Sequence, residues 1–375
     1  MQPEIIEIDG SFGEGGGQIL RTALSLSCYL KRPFRLFNIR KGRKKPGLMP
    51  QHIVAVMASA EISRAEVKGV GQGSTELLFY PKEIRGGEYH FYIGTAGSIC
   101  LVLQTILPSL ISSSVKSFVT LKGGTHVPFS PSFNYLSEVF LPIIEKIGIK
   151  ARLDIESYGF YPKGGGLIRA ELSPVSKINP LRVEDRGEIK EIRGYSCVAN
   201  LPLSISERQR DAFMGKMKPY GFPVNIELCS VPSPGEGTFL FVKIISEHSI
   251  AGFTSLGARS KRAETVGIEA AEEVIGFLHK NSAFDPHLPD QIVLYLALCK
   301  ERSVITTSEI TEHLLTNLWV IGKFIDFKYS IIGNKGEPGL IRINDDSISV
   351  TGSKYLDCPV KTYHQFLHPL IIKGR

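Results

Sequence analysis

Apolar residues recur at helical spacing in three places, and each time a turn of small or breaking residues comes first. Gly16-Gly17-Gln18-Ile19-Leu20 opens the stretch LRTALSLSCYL, Ala96-Gly97-Ser98-Ile99-Cys100 opens LVLQTILPSL, and Pro289-Asp290-Gln291-Ile292-Val293 opens VLYLALCK. A short β-like run follows each helix (Arg35 to Ile39, Ser117 to Leu121, Ser303 to Thr307). A polar loop comes next, and then a second amphipathic helix beginning near Pro50, Pro131 and His313. Alternating runs then predict strand pairs: Glu76 to Tyr80 with Tyr89 to Ile93, and Ala151 to Ile155 with Leu167 to Leu172. Each unit is therefore expected to be a small sheet backed by two helices.

The spacing makes this a repeat. Gly17 and Gly97 are 80 positions apart and Pro50 and Pro131 are 81 apart, but Pro131 and His313 are separated by 182. The third unit must hold about 100 additional residues, the size of a small domain. These fit between 183 and 280, where Glu188 to Asn200, Val224 to Cys229 and Thr238 to Ile245 read as strands, and Ser206 to Met217 and Ala263 to His279 as helices. The expected fold class is α/β (α+β): three repeated units of two helices on a small β-sheet, with a smaller α/β domain inserted in the third. The units fall at about 1–83, 84–176, and 177–182 plus 281–350. Residues 351–375 have no counterpart in the repeat, and no role is assigned to them.

With 43% hydrophobic and 22% charged residues in 375, the chain has the composition of a soluble globular protein, which excludes collagen-like and low-complexity classes. The first nine residues carry three acids, and the most apolar stretch, Ile99 to Ile111, is interrupted by Gln104, Thr105, Pro108 and Ser109. Neither a signal peptide nor a membrane span is expected. The six cysteines form no CxxC pair and mostly lie in apolar runs, as expected of reduced core residues in a cytoplasmic protein. A net charge of +7 suits a phosphate-rich partner.

Four loops could carry chemistry. Asp9 to Gln18, between a strand and a helix, is rich in glycine and offers free backbone N–H groups to an anion, yet lacks both the P-loop lysine and the third glycine of a dinucleotide fingerprint. Glycines needed only for a tight turn are the simpler alternative. Glu14 stands out, because a carboxylate in a phosphate-cradling loop is costly unless it binds a divalent cation. The loop Arg40 to His52 places five basic residues in its first six positions, stiffened by Pro46 and Pro50, and suits a polyphosphate or an RNA terminus as well as a solvated charged loop. Arg21 adds a cation one turn into the first helix. Lys122 to Pro131 is another rigid turn. His313, at a helix start, is expected to stay neutral near pH 7 because the positive helix end disfavours its proton, and a neutral imidazole is a competent nucleophile. No histidine or cysteine spacing suggests a zinc site.

Seven strings in order, GEGGGQILRTALSLS, RKGRKKPGLMPQH, IGTAGSICLVLQTILPSL, GGTHVPFSPSF, GFYPKGGG, HLPDQIVLYLAL and EHLLTNLWVI, resemble the RNA 3′-terminal phosphate cyclase family across residues 5 to 330. The resemblance implies an ATP-dependent ligase that converts an RNA 3′-phosphate to a 2′,3′-cyclic phosphate through a covalent histidine-AMP and an RNA-adenylate. His313 is then the nucleophile, and Glu14 faces ATP and its Mg²⁺ or Mn²⁺. Gln104, Pro131, Phe253 and the segment His287, Leu288, Pro289, Asp290 and Gln291 line the nucleotide pocket, with Phe253 stacking on adenine. Arg21, Arg40, Arg43, Gln51 and His52 hold the RNA end or the ATP phosphates, without division between the two. His287 stands where some relatives have tyrosine. The alternative is a non-catalytic, cyclase-like RNA-binding protein of ribosome assembly; such proteins lack the nucleophilic histidine that stands here at 313. Enolpyruvyl transferases share the repeat architecture and have no reason to carry the adenylate-binding strings. Oligomeric state, the RNA processed, the preferred metal, and activity on 2′- or 5′-phosphate ends are not implied.

Overall fold

The computed structural model describes residues 4–345, so the last few positions expected in the third unit and the whole of 351–375 lie outside the described residues. Three four-stranded sheets repeat one topology. The first contains β1 (Ile6–Asp9), β2 (Phe34–Phe37), β3 (Glu66–Lys68) and β4 (Leu77–Tyr80), ordered β1-β2-β4-β3. The second contains β5 (Glu88–Tyr92), β6 (Ser117–Gly123), β7 (Ala151–Ser157) and β8 (Gly166–Leu172), ordered β5-β6-β8-β7. In each, the first pair is parallel and the others are antiparallel. The parallel step is possible because a helix crosses over between the strands: α1 (Gln18–Leu30) in the first unit and α3 (Ile99–Ile111) in the second.

The strand pair expected from 76–80 and 89–93 does not form. β4 pairs with β2 and β3, whereas β5 opens the second sheet by pairing parallel to β6. Both runs alternate correctly, with Leu77 and Phe79 buried in one and Tyr89 and Phe91 in the other. Alternation identifies a buried face without saying which sheet owns it. The true neighbour of β4 is the three-residue β3, too short to read as a periodic run.

A second helix follows in each unit. α2 (Pro50–Ser63) serves the first unit. In the second, α4 (Phe133–Tyr135) runs through a π-helical turn (Leu136–Phe140) into α5 (Leu141–Lys146). The third unit begins with the two-residue β9 (Arg182–Val183), after which the chain leaves to build a separate sheet of β10 (Ile189–Ala199), β11 (Val224–Ser230), β12 (Gly237–Ser246) and β13 (Ile250–Leu256). That sheet is ordered β11-β10-β12-β13 and is backed by α6 (Ser204–Met217) and α7 (Ala263–Leu278). The chain returns in α8 (Leu288–Leu298), β14 (Ser303–Thr307), α9 (Glu312–Phe324), β15 (Tyr329–Ile332) and β16 (Gly339–Ile343), and β14 pairs parallel to β9 and antiparallel to β16. β13, which carries Phe253, was not evident in the pattern.

The repeat helices share one core, in which Leu24, Leu103, Ile106, Ile292, Leu296 and Ile321 have no more than 1% exposure. Buried polar groups pin the helices in register: Ser25 Oγ donates to Thr105 O at 2.8 Å, Thr22 Oγ1 to Asn317 Oδ1 at 2.7 Å, and Asn317 Nδ2 to Asp290 O at 2.7 Å. The helix faces of β10, β12 and β13 form a second core with Phe213, Val274 and Phe277, while Cys197, Phe239 and Phe241 on the opposite face join the main core. Four of the five described cysteines are buried and Cys229 is half-buried; all are free thiols, and Cys358 lies outside the described residues. Among the described residues no helix is long and apolar enough to cross a membrane.

Candidate active site

The helix starts of the three units converge on one cleft of about 660 Å³, bounded on its far side by β13 and α7. The Asp9-to-Gln18 loop forms part of its floor. Gly13 takes φ +55, and a Cβ there would lie 2.5 Å from Thr316 Oγ1. At Gly17 the constraint is closer approach: a Cβ would stand 2.4 Å from His52 Nε2 and 2.9 Å from Arg21 Nη1, two side chains that line the cleft. The glycines let the backbone pass under the basic groups.

Glu14 projects from this loop between two partners. Its Oε1 forms an ion pair with Arg43, and its Oε2 lies 2.5 Å from His313 Nδ1. That approach lacks aligned hydrogen-bond geometry, and neither atom has another hydrogen-bond partner. His313 stands in the first turn of α9, whose N-cap Thr311 accepts from Leu314 N at 3.0 Å and donates to Asp290 Oδ1 at 2.6 Å. The His313 side chain is 44% exposed and faces the cleft, with Nδ1 turned to Glu14. Its pKa is lowered, chiefly by burial and further by Arg21 and Arg43, with Asp290 acting in the opposite sense. The lowered pKa leaves the imidazole neutral at pH 7, with burial the leading cause.

One wall is basic. Arg21 donates to Gln18 Oε1 at 2.5 Å, and burial pulls its pKa down to about 10, so it remains a cation. His52 is 4% exposed and accepts the Met49 N–H on Nδ1 at 3.1 Å; burial, then Arg21 and Arg40, push its pKa to about 3, which makes it a neutral donor through Nε2. Arg40 spends one nitrogen on the carbonyls of Lys45 and Gly47, at 2.8 and 2.9 Å, and so shapes its own loop. Gln51 accepts from Ser98 N at 3.0 Å, tying the start of α2 to that of α3. Lys41, Lys44 and Lys45 are exposed beyond this wall.

The opposite wall is more apolar. Pro131 and Phe253 both border it, but Phe253 is only 5% exposed and its ring packs against Phe277 at 5.7 Å in the core of the inserted sheet, the place of an ordinary core phenylalanine rather than of a ring presented for stacking. Ser132 Oγ meets Thr254 Oγ1 at 2.9 Å across the gap between the second unit and β13. Gln104 Nε2 donates to Gln291 Oε1 at 2.5 Å, and Gln291 Nε2 donates to His287 O at 3.0 Å. Asp290 is 9% exposed, with its pKa raised by burial to about 6. Leu288 and Pro289 must be withdrawn from the cleft lining: Leu288 is fully buried in the main core and Pro289 opens the first turn of α8. In a helix, neighbours one position apart point to different faces, so a contiguous five-residue segment cannot all face one cavity. The remaining named residues, Glu14, Arg21, Arg40, Arg43, Gln51, His52, Gln104, Pro131, Phe253, His287, Asp290, Gln291 and His313, all line it.

Several further residues line the cleft. Asn317 lies one turn beyond His313 and accepts from Thr22 Oγ1 and Gln18 Nε2 at 2.7 and 2.9 Å; its i+4 spacing on α9 was an available signal. Tyr135 donates to the fully buried Asp285 at 2.8 Å, and Asp285 also accepts from Gly252 N of β13. Nothing local in sequence marks that contact across 150 positions. Among the described residues no three His, Cys, Asp or Glu side chains converge as a metal cage. Glu14 Oε2, buried and without an aligned partner, fits a single protein carboxylate on a cation whose other ligands are phosphates and water, the usual manner of Mg²⁺.

Residues 12–331 match the family model described as RNA 3′-terminal phosphate cyclase. Curated relatives named RNA 3′-terminal phosphate cyclase include one from Ignicoccus hospitalis, 43% identical over 90% of this chain and 98% of its own. Another from Staphylothermus marinus is 42% identical over 92% and 99%, and one from Sulfolobus acidocaldarius is 44% identical over 90% and 100%. Among solved structures, the enolpyruvyl transferase NikO from Streptomyces tendae aligns with 90% of this chain and 48% of its own at 10% identity and TM-score 0.33, too remote to inform fold or chemistry. The chain belongs to the RNA 3′-terminal phosphate cyclase family.

Proposed function

We propose that this protein is a cytoplasmic, ATP-dependent ligase that cyclises RNA 3′-phosphate ends with His313 as nucleophile. The supporting observation is a half-exposed, neutral His313, supported at Nδ1 by Glu14 and facing a cleft with three arginines on one wall and Pro131 and Phe253 on the other. In the first step His313 Nε2 attacks the α-phosphorus of ATP, the bond to the bridging oxygen breaks, and pyrophosphate leaves, giving a phosphoramidate on the ring. An oxygen of the RNA 3′-phosphate then attacks the same phosphorus and takes AMP, which restores His313. The vicinal 2′-hydroxyl closes on the activated 3′-phosphorus, loses its proton and expels AMP.

The chain's own groups serve these steps in different ways. Arg21 and Arg43 offset charge on phosphate oxygens, and His52 Nε2 adds a neutral donor. Pro131 supplies an apolar face for adenine, Phe253 only the edge of the wall behind it, and Asp290 and Gln291 are polar contacts beside it. Glu14 would hold a divalent cation together with the nucleotide phosphates, which supplies charge neutralisation as the anions meet.

The test is incubation with α-³²P-ATP and Mg²⁺ or Mn²⁺, then a chase with a 3′-phosphate oligoribonucleotide. An acid-labile label on the protein is expected to leave as AMP while the RNA end becomes phosphatase-resistant. His313→Ala should reduce labelling to background, and labelling at normal yield would remove His313 from the nucleophile's role. No label on folded wild-type protein with either metal would favour the non-catalytic RNA-binding alternative.

A further inference from the structure

Phe129 is the most exposed large apolar side chain among the described residues, at 103%, and it lines the mouth of the cleft rather than a remote surface. Its backbone takes φ +61, a region that bulky L-residues rarely enter and that persists only where the surroundings hold it. Those surroundings are rigid. Pro128 and Pro131 flank the turn, Ser130 Oγ donates to Val127 O at 3.0 Å, and Val127 is buried. Just before it, buried His126 is fixed between Thr125 Oγ1 and Asn134 Oδ1, each at 3.0 Å, and Phe133 N donates to Thr125 O at 3.0 Å. The loop is anchored at both ends and presents one aromatic ring to solvent on strained backbone.

An exposed aromatic ring by itself is ordinary on a protein surface. This one lines the same cleft as His313, the cleft an RNA end would enter on the cyclase reading above, and the inference rests on that reading. The terminal phosphate has to reach His313, and the arginines of the basic wall suit phosphate and backbone charge. Pro131 already offers a face for adenine deeper in the cleft. What remains unserved is the base of the terminal nucleotide, whose π-face needs a flat apolar partner and no hydrogen-bond readout, since an end-processing enzyme gains nothing from reading one base.

We propose that Phe129 is a stacking platform for the base of the 3′-terminal nucleotide of the RNA substrate. Because the side chain touches almost nothing in the protein, Phe129→Ala leaves the fold intact, and a melting temperature no lower than wild type is the control.

The experiment compares wild type, Phe129→Ala and Phe129→Trp in three measurements: α-³²P-ATP labelling without RNA, cyclisation of a 3′-phosphate oligoribonucleotide, and fluorescence anisotropy binding of that RNA without ATP. Phe129→Ala should label normally and bind the RNA about tenfold more weakly, with KM for RNA raised by a similar factor. Phe129→Trp should restore both. With an oligoribonucleotide whose 3′-terminal ribose phosphate lacks its base, wild type and Phe129→Ala should bind within about twofold of each other, because the partner of the ring is gone. Equal affinity of the two proteins for the intact RNA overturns the proposal, and a raised KM for ATP in the RNA-free labelling reassigns the ring to adenine. Absence of label from wild type would instead count against the cyclase reading, while the anisotropy arm still decides whether Phe129 holds a base.

Discussion

Glu14 and His313 were each apparent from their motifs, but not that their side chains meet; they are 299 positions apart and approach to 2.5 Å. A carboxylate at Nδ1 favours the tautomer that carries its proton there and leaves the Nε2 lone pair free for attack. It also stabilises the imidazolium, so its removal lowers the His313 pKa further below its ordinary value. Glu14→Gln keeps an acceptor of the same shape without the charge. Adenylate formation from ATP should fall by about a hundredfold or more. If neutral His313 is the nucleophile, as proposed, the acid limb of the rate profile should move to lower pH, because the proton is then lost more readily. If Glu14 acts solely through a cation, the variant will need more Mg²⁺ while its acid limb stays in place. Measuring labelling rate against pH at saturating metal separates the two.

Element by element, the repeat was readable because each helix start carries a distinctive turn, and those turns are the parts that build the cleft. Thr311 shows how an element end sets a side chain. As N-cap it satisfies Leu314 N, and its hydroxyl proton goes to Asp290, so one residue fixes both the start of α9 and a buried carboxylate of α8. Thr311→Ala should lower stability by about 0.5–2 kcal/mol for the cap alone, and more because Asp290 loses its donor. Two residues on, His313 would lose its placement, so adenylation should fall with it, and Thr311→Ser should recover both. Urea denaturation alongside labelling checks this, and a stable, inactive Thr311→Ala would show that the hydroxyl serves chemistry rather than the helix end. What stayed hidden at this scale were elements without a period of their own. β3 has three residues, and β9 has two. β13 was missed because IAGFTSL interrupts its apolar residues with glycine, threonine and serine. A strand of that kind is defined by its partner, β12, whose apolar run was visible.

Whole-molecule geometry depends on how the inserted sheet is seated, since β13 brings Phe253 and Thr254 to a cleft otherwise built from the repeats. No local pattern announces such long-range contacts; they arise where polar groups on two surfaces are buried together. Asp285 ties Tyr135 to β13, and Lys243 of β12 reaches Glu138 in the second unit at 2.8 Å. Lys243 is opposite Gly252 in the β12–β13 register, so this pair holds the strand next to Phe253. The two side chains are only 9% and 20% exposed, and a charge left alone at such a position is costly. Glu138→Gln should therefore destabilise the protein by about 3–5 kcal/mol, as measured by urea denaturation. Replacing both groups by apolar residues, Glu138→Leu with Lys243→Met, should recover most of that loss, because the pair offsets its own desolvation rather than adding much net stability. The KM for ATP in the labelling reaction distinguishes a seating role from a purely energetic one. If the pair fixes the adenine-facing wall, KM rises in Glu138→Gln even where the protein remains folded, and recovers in the double variant only as far as the apolar contact restores the position of β13. A Glu138→Gln protein as stable as wild type, with unchanged KM, would show that Lys243 finds water or another acceptor and that the sheet is seated by its apolar face, Cys197, Phe239 and Phe241, alone.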